Sequence, residues 1–169
     1  MYKRQHEIWV ALRLSGEPTV AGTKTYNAQT DDSLTKSWWI VDGEDQIVGR
    51  IASDIAMVLM GKHRPTYTPN VDTGDFVIIT NCDKVKFSGN KLDQKVYTWY
   101  TGYTGLRKET AQNRLNRKPE QIMRDAVRRM LPKNKIGRQM LSKLKIFAGA
   151  EHPHAAQNPQ PLTGGRTLK

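Results

Sequence analysis

Short apolar runs and helically spaced apolar positions alternate along the chain from Trp38 onward. The run WWIVD at Trp38–Asp42 consists of strand-forming residues and is followed by Gly43 as a turn signal, so it predicts a central strand covered on both faces. A helix is predicted next, with Asp45 as its N-cap and Gly61 as its stop, because five apolar residues recur at helical spacing. These residues are Ile47, Ile51, Ile55, Val58 and Leu59.

The middle of the chain continues with strand-like segments. DFVIIT at Asp75–Thr80 predicts a second buried strand, and the alternating polarity of KVKF at Lys84–Phe87 favours a further strand before the turn SGNK. The run VYTWY at Val96–Tyr100 is also typical of a strand. Strands that alternate with a helix indicate an α/β fold.

Two amphipathic helices are predicted near the carboxyl end. Pro119 occupies a first-turn position, the second helix begins at Asn134 or Lys135, and Pro132 separates the two. The run KIFAG then predicts a last strand, so the two helices are expected to form a hairpin that packs on a sheet. Their inward positions are Ile122, Ala126, Val127 and Met130 in the first helix and Ile136, Met140, Leu141 and Leu144 in the second.

The segments outside this pattern set the domain organisation. Because residues 15–36 are rich in Gly, Thr, Ser and Asp without a sustained apolar period, 1–36 are expected to form a flexible N-terminal extension. An α/β domain is expected over 37–150 and an extended tail over 151–169. The apolar run Ile8–Leu12 is too short for a secretory signal, whereas a short organellar presequence stays open. No run approaches about 18 apolar residues, so no membrane partner is expected.

The positive charge is concentrated in the last part of the chain. The formal net charge is +11, from 27 Lys and Arg against 16 Asp and Glu. Residues 1–100 hold twelve basic and twelve acidic side chains, whereas 101–169 hold fifteen basic and four acidic ones, and fifteen minus four gives the whole excess of eleven. Such an excess predicts a localised cationic face with a polyanionic partner, and a merely solvated basic face is the alternative.

The cations separate from the apolar positions on both predicted helices. The first stripe consists of Arg117, Arg124 and Arg128, at spacings of seven and four, and lies beside the apolar positions. The second consists of Lys135, Arg138, Ser142 and Lys145, at steps of three, four and three, although Lys145 falls where the last strand is predicted. A membrane-surface helix is disfavoured, because the apolar stripe is needed to cover the sheet. RNA is favoured over DNA, because no base-reading recognition helix stands out and hydroxyl and aromatic residues are spread along the chain.

The sequence contains no recognisable catalytic or metal-binding arrangement. The NCDK motif occurs without a P-loop, and Asp72 and Asp75 fit turn or cap chemistry better than an acid pair. His152 and His154 lack further ligands at metal-binding spacing, and the single cysteine, Cys82, allows no intrachain disulfide. We therefore expect no enzymatic activity, no metal, no cofactor and no small-molecule substrate. A nucleic-acid-modifying enzyme on a small α/β fold is the rival hypothesis.

Four segments of the chain resemble a known family. They are GKHRPTYTPNVDTGDFVIITNCDKVKFSGNK at Gly61–Lys91, YTGYTG at Tyr100–Gly105, RRMLPKNKIGRQMLSKLKIFAG at Arg128–Gly149 and EHPHAAQNPQP at Glu151–Pro161. In order and spacing, the chain from about Trp38 onward is similar to the bacterial large-subunit ribosomal protein family conventionally numbered thirteen.

The resemblance implies a single-domain, three-layer α/β/α fold with a four-stranded parallel sheet, a basic helical hairpin and no enzymatic activity. It also implies binding to large-subunit ribosomal RNA early in assembly, neighbouring large-subunit proteins as partners, and a cytoplasmic ribosome as the location, with an organellar ribosome left open. A regulatory RNA-binding role away from the ribosome would use the same surface and stays an alternative.

The resemblance also assigns expected RNA-binding side chains, residue by residue. One or two of the helical cations are expected to pair only with Asp125 or Glu120. The expected RNA-binding residues are Lys62, His63, Arg64, Asn90, Lys91, Arg124, Arg128, Lys133, Lys135, Arg138, Lys143, His152 and His154.

Overall fold

The apolar run WWIVD forms an inner strand of a parallel sheet. The computed structural model describes Ala28 and residues 36–162, so the predicted flexible extension at 1–36 lies almost entirely outside the described residues. In chain order, the helices and strands are β1 (Trp38–Asp42), α1 (Val48–Met60), β2 (Phe76–Thr80), α2 (Lys91–Gln94), β3 (Val96–Tyr100), β4 (Leu106–Thr110), α3 (Ala111–Arg117), α4 (Pro119–Met130), α5 (Lys135–Ser142), β5 (Leu144–Ile146) and β6 (Gln160–Pro161).

Four strands make up the main sheet in the spatial order β5, β2, β1, β6, and every neighbouring pair is parallel. The register aligns Trp39 with Val77 and Val41 with Ile79, so these apolar side chains share one face of the sheet. Ile78, which points to the other face, is also fully buried. The predicted α/β fold with a four-stranded parallel sheet in a single domain is confirmed. Its fourth strand, β6, comes from the segment that the sequence assigns to the tail.

The hydrophobic core lies between the sheet and the helices α1 and α4. Ile51, Ile55 and Leu59 enter it from α1, and Ile122 and Val127 enter it from α4. Burial of each such side chain contributes roughly 1.5–3 kcal/mol to folding. The periodic apolar positions of both helices are therefore used inside the domain, as their spacing predicts.

The two ends of α1 differ in how well the sequence predicts them. The prediction that Asp45 caps α1 is wrong, because Ile47 is the N-cap residue and no side chain caps the helix. Asp45 lies in the preceding turn at φ 59°, with a carboxylate oxygen 2.8 Å from the Nζ of Lys86. Gly61 ends the helix as predicted, at φ 78°, a left-handed conformation that glycine adopts without a Cβ penalty.

The middle of the chain departs from the predicted strands. KVKF contributes only a bridge between Ile47 and Lys86, because a 3₁₀ turn at Cys82–Lys84 occupies the start of the segment. VYTWY does form a strand, β3, but it pairs with β4 in a separate two-stranded antiparallel sheet. The apolar pattern predicts neither β4 nor α3, since LRKET and AQNRLNR have no regular apolar period.

The predicted helical hairpin forms from α4 and α5. Asn134 caps α5, because its Oδ1 accepts a hydrogen bond from the N–H of Gly137 at 2.7 Å. The expectation that Met130 points inward is wrong: this side chain is 41% exposed, at the last turn of α4. Leu144 is buried as expected, although it belongs to β5 and not to α5.

Gly74 lies where the loop before β2 crosses the end of α1, and alanine there tests this close approach. A Cβ at this position would lie 1.8 Å from the carbonyl oxygen of Leu59. We expect Gly74→Ala to lower the free energy of unfolding by about 1–3 kcal/mol or more, because backbone atoms must shift. Gly49→Ala in α1, where no atom lies within 4 Å, is the matched control and is expected to be neutral or stabilising by up to about 1 kcal/mol. Urea unfolding followed by circular dichroism measures both, and equal effects would contradict the close approach.

The thiol of Cys82 gives a prediction about pH. Burial, with smaller contributions from Glu120 and Asp83, raises the pKa of this thiol from 9.0 to about 12. Because the unfolded thiol ionises at lower pH than the folded one, its contribution to stability is complete below pH 9 and is lost as the pH rises towards about 12. At pH 8 we expect dithionitrobenzoate to label Cys82 of the folded protein only through transient opening. In protein unfolded by urea, we expect the same thiol to react at once. Fast labelling of the native protein would show that the thiol is accessible.

Candidate nucleic-acid interface

A cationic groove opens where α4 turns into α5. The groove encloses about 400 Å³, and Leu131, Pro132 and Leu141 supply its apolar lining. Its basic lining consists of Arg128, Arg129, Lys133 and Arg138. The structure thus brings together three of the predicted binding residues and adds Arg129, which the sequence analysis did not include.

Backbone contacts in the turn fix the shape of the cationic groove. Gly137 is buried and lies so close to the turn that a Cβ there would be 1.9 Å from the carbonyl oxygen of Pro132. The hydrogen bond that the N–H of Gly137 donates to the Oδ1 of Asn134 also holds this turn. The groove is therefore formed by the fold itself before any ligand arrives.

The four basic side chains of the groove are exposed to solvent. Arg128 pairs with Asp125 at 3.5 Å, as expected for one or two helical cations, but its side chain is 62% exposed, so this ion pair adds little. The guanidinium groups of Arg129 and Arg138 offer planar sets of donors that match the oxygens of a phosphate. An exposed row of this kind is suited to hold a polyanion.

Six other predicted residues are exposed outside the groove lining, and one of them, His63, contacts the carboxylate of Asp75. Lys62 follows the end of α1, with its Nζ 6.0 Å from the ring centroid of Tyr67. The other four lie at helix termini or on a helix surface: Asn90 and Lys91 at the start of α2, Arg124 on α4 and Lys135 at the start of α5.

His63 and Arg64 contact a buried carboxylate. Asp75 is 1% exposed, and it accepts hydrogen bonds from the N–H of Ser37 and the Nε1–H of Trp39, both at 3.0 Å. The Nε2 of His63 lies 2.9 Å from the same carboxylate, and the guanidinium of Arg64 donates to it. A buried carboxylate requires such partners, because its charge is otherwise costly to desolvate. Asp75 is therefore an ion-pair acceptor and not the turn or cap residue that the sequence suggests.

The expectation that Lys143 faces outward is wrong. This residue is 5% exposed, and its Nζ donates to Asp72, to the carbonyl of Gly74 at 2.8 Å and towards that of Leu59 at 3.4 Å. Burial lowers the pKa of the Lys143 ammonium, and the hydrogen bond to Asp72 opposes that shift. Asp72 is thus also an ion-pair acceptor, and Lys143 stabilises the fold. Lys143 stands in the sequence between α5 and the buried strand β5, and this position could have indicated that its side chain is buried.

The two predicted histidines lie against aromatic rings. The ring of His154 is 5.3 Å from that of Trp38 and 5.8 Å from that of Phe147, and the ring of His152 is 6.3 Å from that of Phe147. Both histidines are half-buried. Among the described residues, no three potential metal ligands come together, and no helix has the length and apolar character needed to span a bilayer.

One basic region contains none of the expected RNA-binding residues, and Arg117, which was expected on the stripe of α4, lies there at the end of α3. The hairpin of β3 and β4, together with α3, carries Arg107, Lys108, Arg117 and Lys118 on its surface. Aromatic residues alternate with threonine and glycine in the same stretch, and this interleaving of rings and cations is the signal that could have identified it.

The fold and its surface define a basic α/β protein with a preformed cationic groove. Residues 36–153 match the model of the family described as Ribosomal protein L13, and the chain belongs to this family. The match includes both the groove and the ion pairs of Asp72 and Asp75. The resemblance seen in the sequence is confirmed, and with it the expectation of a ribosomal protein that is not an enzyme.

Similar proteins carry the name "Large ribosomal subunit protein uL13". The protein from Thermotoga petrophila is 52% identical over 132 residues, which cover 78% of this chain and 89% of the relative. Those from Aquifex aeolicus and Oleidesulfovibrio alaskensis are 50% and 51% identical over 140 residues, which cover 82% of this chain and 96% of each relative.

A pair of lysine substitutions separates the buried cation from the exposed ones. Lys143→Met is expected to lower the free energy of unfolding by about 2–4 kcal/mol, because Asp72 and two backbone carbonyls lose their donor. Lys133→Met removes an exposed groove cation and is expected to change stability by less than about 0.5 kcal/mol. Urea unfolding measures both variants. Similar losses would show that the two lysines do not differ in role.

Proposed function

We propose that this chain is a structural component of the large ribosomal subunit, and that its cationic groove binds large-subunit ribosomal RNA. The relatives named as large-subunit proteins support the first part, since they match over most of their own length. The groove supports the second part, because phosphate contacts dominate the affinity of proteins for RNA.

The single observation that carries the proposal is the convergence of four exposed basic side chains on one groove. Exposed cations with no structural task can exchange water and counterions for phosphates, and the release of counterions favours binding. Lys143, Arg64 and His63 contact carboxylates of the domain, so these three side chains stabilise the fold. The groove cations, in contrast, remain available to RNA.

We further infer that the protein joins the subunit early in assembly. The groove is formed by contacts between α4, α5 and their own turn, so it needs no neighbouring protein to complete it. A preformed site loses little conformational entropy on binding. RNA and, later, neighbouring large-subunit proteins are the partners of this role.

The location and the flanking segments belong to the same proposal. We place the protein on the cytoplasmic ribosome, in line with its bacterial relatives. Residues 1–35 precede the family match and belong to the predicted extension 1–36, and the predicted tail 151–169 begins within the match and contributes β6 to the main sheet. Sedimentation of a lysate tests the location, since the protein is expected with large-subunit particles; recovery only in free fractions would favour a regulatory role away from the ribosome.

A double variant of the groove tests RNA binding. Lys133→Gln/Arg138→Gln is expected to weaken binding to purified large-subunit ribosomal RNA and to lower the slope of log affinity against log salt by about two. Filter binding between about 50 and 200 mM salt measures both quantities. Stability should stay unchanged, because both side chains are exposed.

Lys84→Gln/Lys86→Gln is the matched control for this experiment. These lysines are also exposed, but they pair with Glu44 at 2.9 Å and Asp45 at 2.8 Å in the electrically neutral part of the chain. The control is expected to bind like the unmodified protein. Equal slopes for the two double variants would remove the groove from RNA binding.

A further inference from the structure

The segment 95–118, which contains the hairpin of β3 and β4 and the helix α3, combines rings with positive charge. It holds six basic residues, one acidic residue, Glu109, and four aromatic residues. Bases stack on aromatic side chains while cations hold the phosphates, so this composition is typical of surfaces that bind single-stranded RNA. The cationic groove lies elsewhere, between α4 and α5.

A recess of about 260 Å³ lies between β3 and the junction of α3 with α4, and it is called the tryptophan recess here. Its lining residues are Trp99, Arg114, Arg117, Lys118 and Gln121. Trp99 is 38% exposed, so part of its indole ring is accessible from the recess. The recess is large enough to admit a single nucleobase.

The three cations of the tryptophan recess differ in how firmly they are held. Arg114 lies 3.2 Å from Asp125 and 4.3 Å from the ring centroid of Tyr97, so it forms a fixed wall. Arg117 pairs with Glu109 at 2.8 Å, and its own side chain is 60% exposed whereas that of Glu109 is 10% exposed. Arg114 also lies 3.7 Å from Glu109, so this carboxylate keeps a cation beside it when Arg117 turns to another anion. Lys118 is exposed and forms no ion pair with any described residue.

We propose that the tryptophan recess binds one unpaired RNA nucleotide, with the base stacked on Trp99 and the phosphate held by Lys118 and Arg117. This proposal rests on the proposed function and deepens it. The cationic groove binds phosphates regardless of base pairing, whereas the recess selects RNA that offers a base outside a helix.

The other side of the hairpin does not carry such a proposal. Val96, Tyr100 and Leu106 point away from the recess face and are 47%, 65% and 60% exposed. These apolar side chains share their face with Thr98 and Lys108, and nothing in the described part of the chain indicates what covers it. The recess, in contrast, combines the ring of Trp99 with the cations Arg117 and Lys118. The positive charge of these two residues favours a nucleotide over the apolar side chain of a protein partner.

Two RNA hairpins test the proposal on the full chain. They are identical except for one unpaired, bulged adenosine in the stem of the second. We expect the unmodified protein to bind the bulged stem about tenfold more tightly than the paired stem. One base stacked on an aromatic ring contributes binding free energy of this size. Trp99→Ala is expected to abolish this preference and leave binding to the paired stem unchanged, whereas Trp99→Phe keeps a ring and most of the preference.

Two further variants make the test specific to the recess. Tyr100→Ala, on the opposite face of the same strand, is expected to keep the preference. Lys118→Gln is expected to lower the slope of log affinity against log salt by about one, and to do so for the bulged stem only. Circular dichroism checks the folding of each variant, and if Trp99→Ala unfolds, Lys118→Gln decides the question, because it alters only an exposed side chain.

Each outcome separates the recess from the groove. Equal binding of the two stems by the unmodified protein overturns the proposal, and so does a Trp99→Ala variant that keeps the preference; occupation of the recess by a protein neighbour would give the first result. If Lys133→Gln/Arg138→Gln binds both stems as tightly as the unmodified protein, the groove fails and the recess stands. If that variant loses affinity for both stems but the stems are never distinguished, the recess fails and the groove stands.

Discussion

The buried carboxylate of Asp75 joins segments that are far apart in the sequence. It binds Ser37 and Trp39 at the start of β1, and His63 and Arg64 just after α1. A charge with 1% exposure is tolerated only because these donors surround it. The same contacts close the first β–α–β unit, since β1, the end of α1 and the start of β2 all meet at one side chain. Asp75 thus fixes the start of β2 beside the start of β1, where the parallel pairing of the two strands begins.

Asp72 extends this arrangement to the carboxyl half of the domain. Its partner Lys143 follows α5 directly, so the ion pair fixes the end of α5 against the loop before β2. The start of α5 is fixed separately by Asn134 and Gly137. With both ends held, α5 presents Arg138 to the groove at a defined place. Positive residues thus act in two ways in this domain, and burial decides which: those inside hold the fold together, and those outside give the surface its charge.

The parts of the fold that the sequence predicts are those with local patterns. The strands β1 and β2 and the helices α1, α4 and α5 follow from apolar runs or periods, and the stop at Gly61 follows from its backbone freedom. β4 and α3 escape prediction because β4 pairs with β3 in the hairpin and α3 packs against that hairpin, so neither has a periodic apolar stripe.

The exposure of cations was predictable at the turn between the two helices, as for Lys133 and Arg138, and unpredictable where a partner is distant in sequence. Lys143 and Asp72 are 71 residues apart, and His63 and Asp75 are 12 apart across a turn. No local pattern distinguishes a lysine that will meet a carboxylate from one that will remain in water. The four-stranded count depended similarly on β6, a two-residue strand too short to leave a signal of its own.

The outer strands of the main sheet affect how separate copies of the chain can interact. The outer strands of the main sheet are β5, with three residues, and β6, with two, one of which is Pro161. An outer strand with unused N–H and C=O groups invites another copy to add to the sheet, and brevity and proline both discourage it, since proline has no N–H to donate. The main sheet therefore offers other copies of the chain little edge to which they could add a strand.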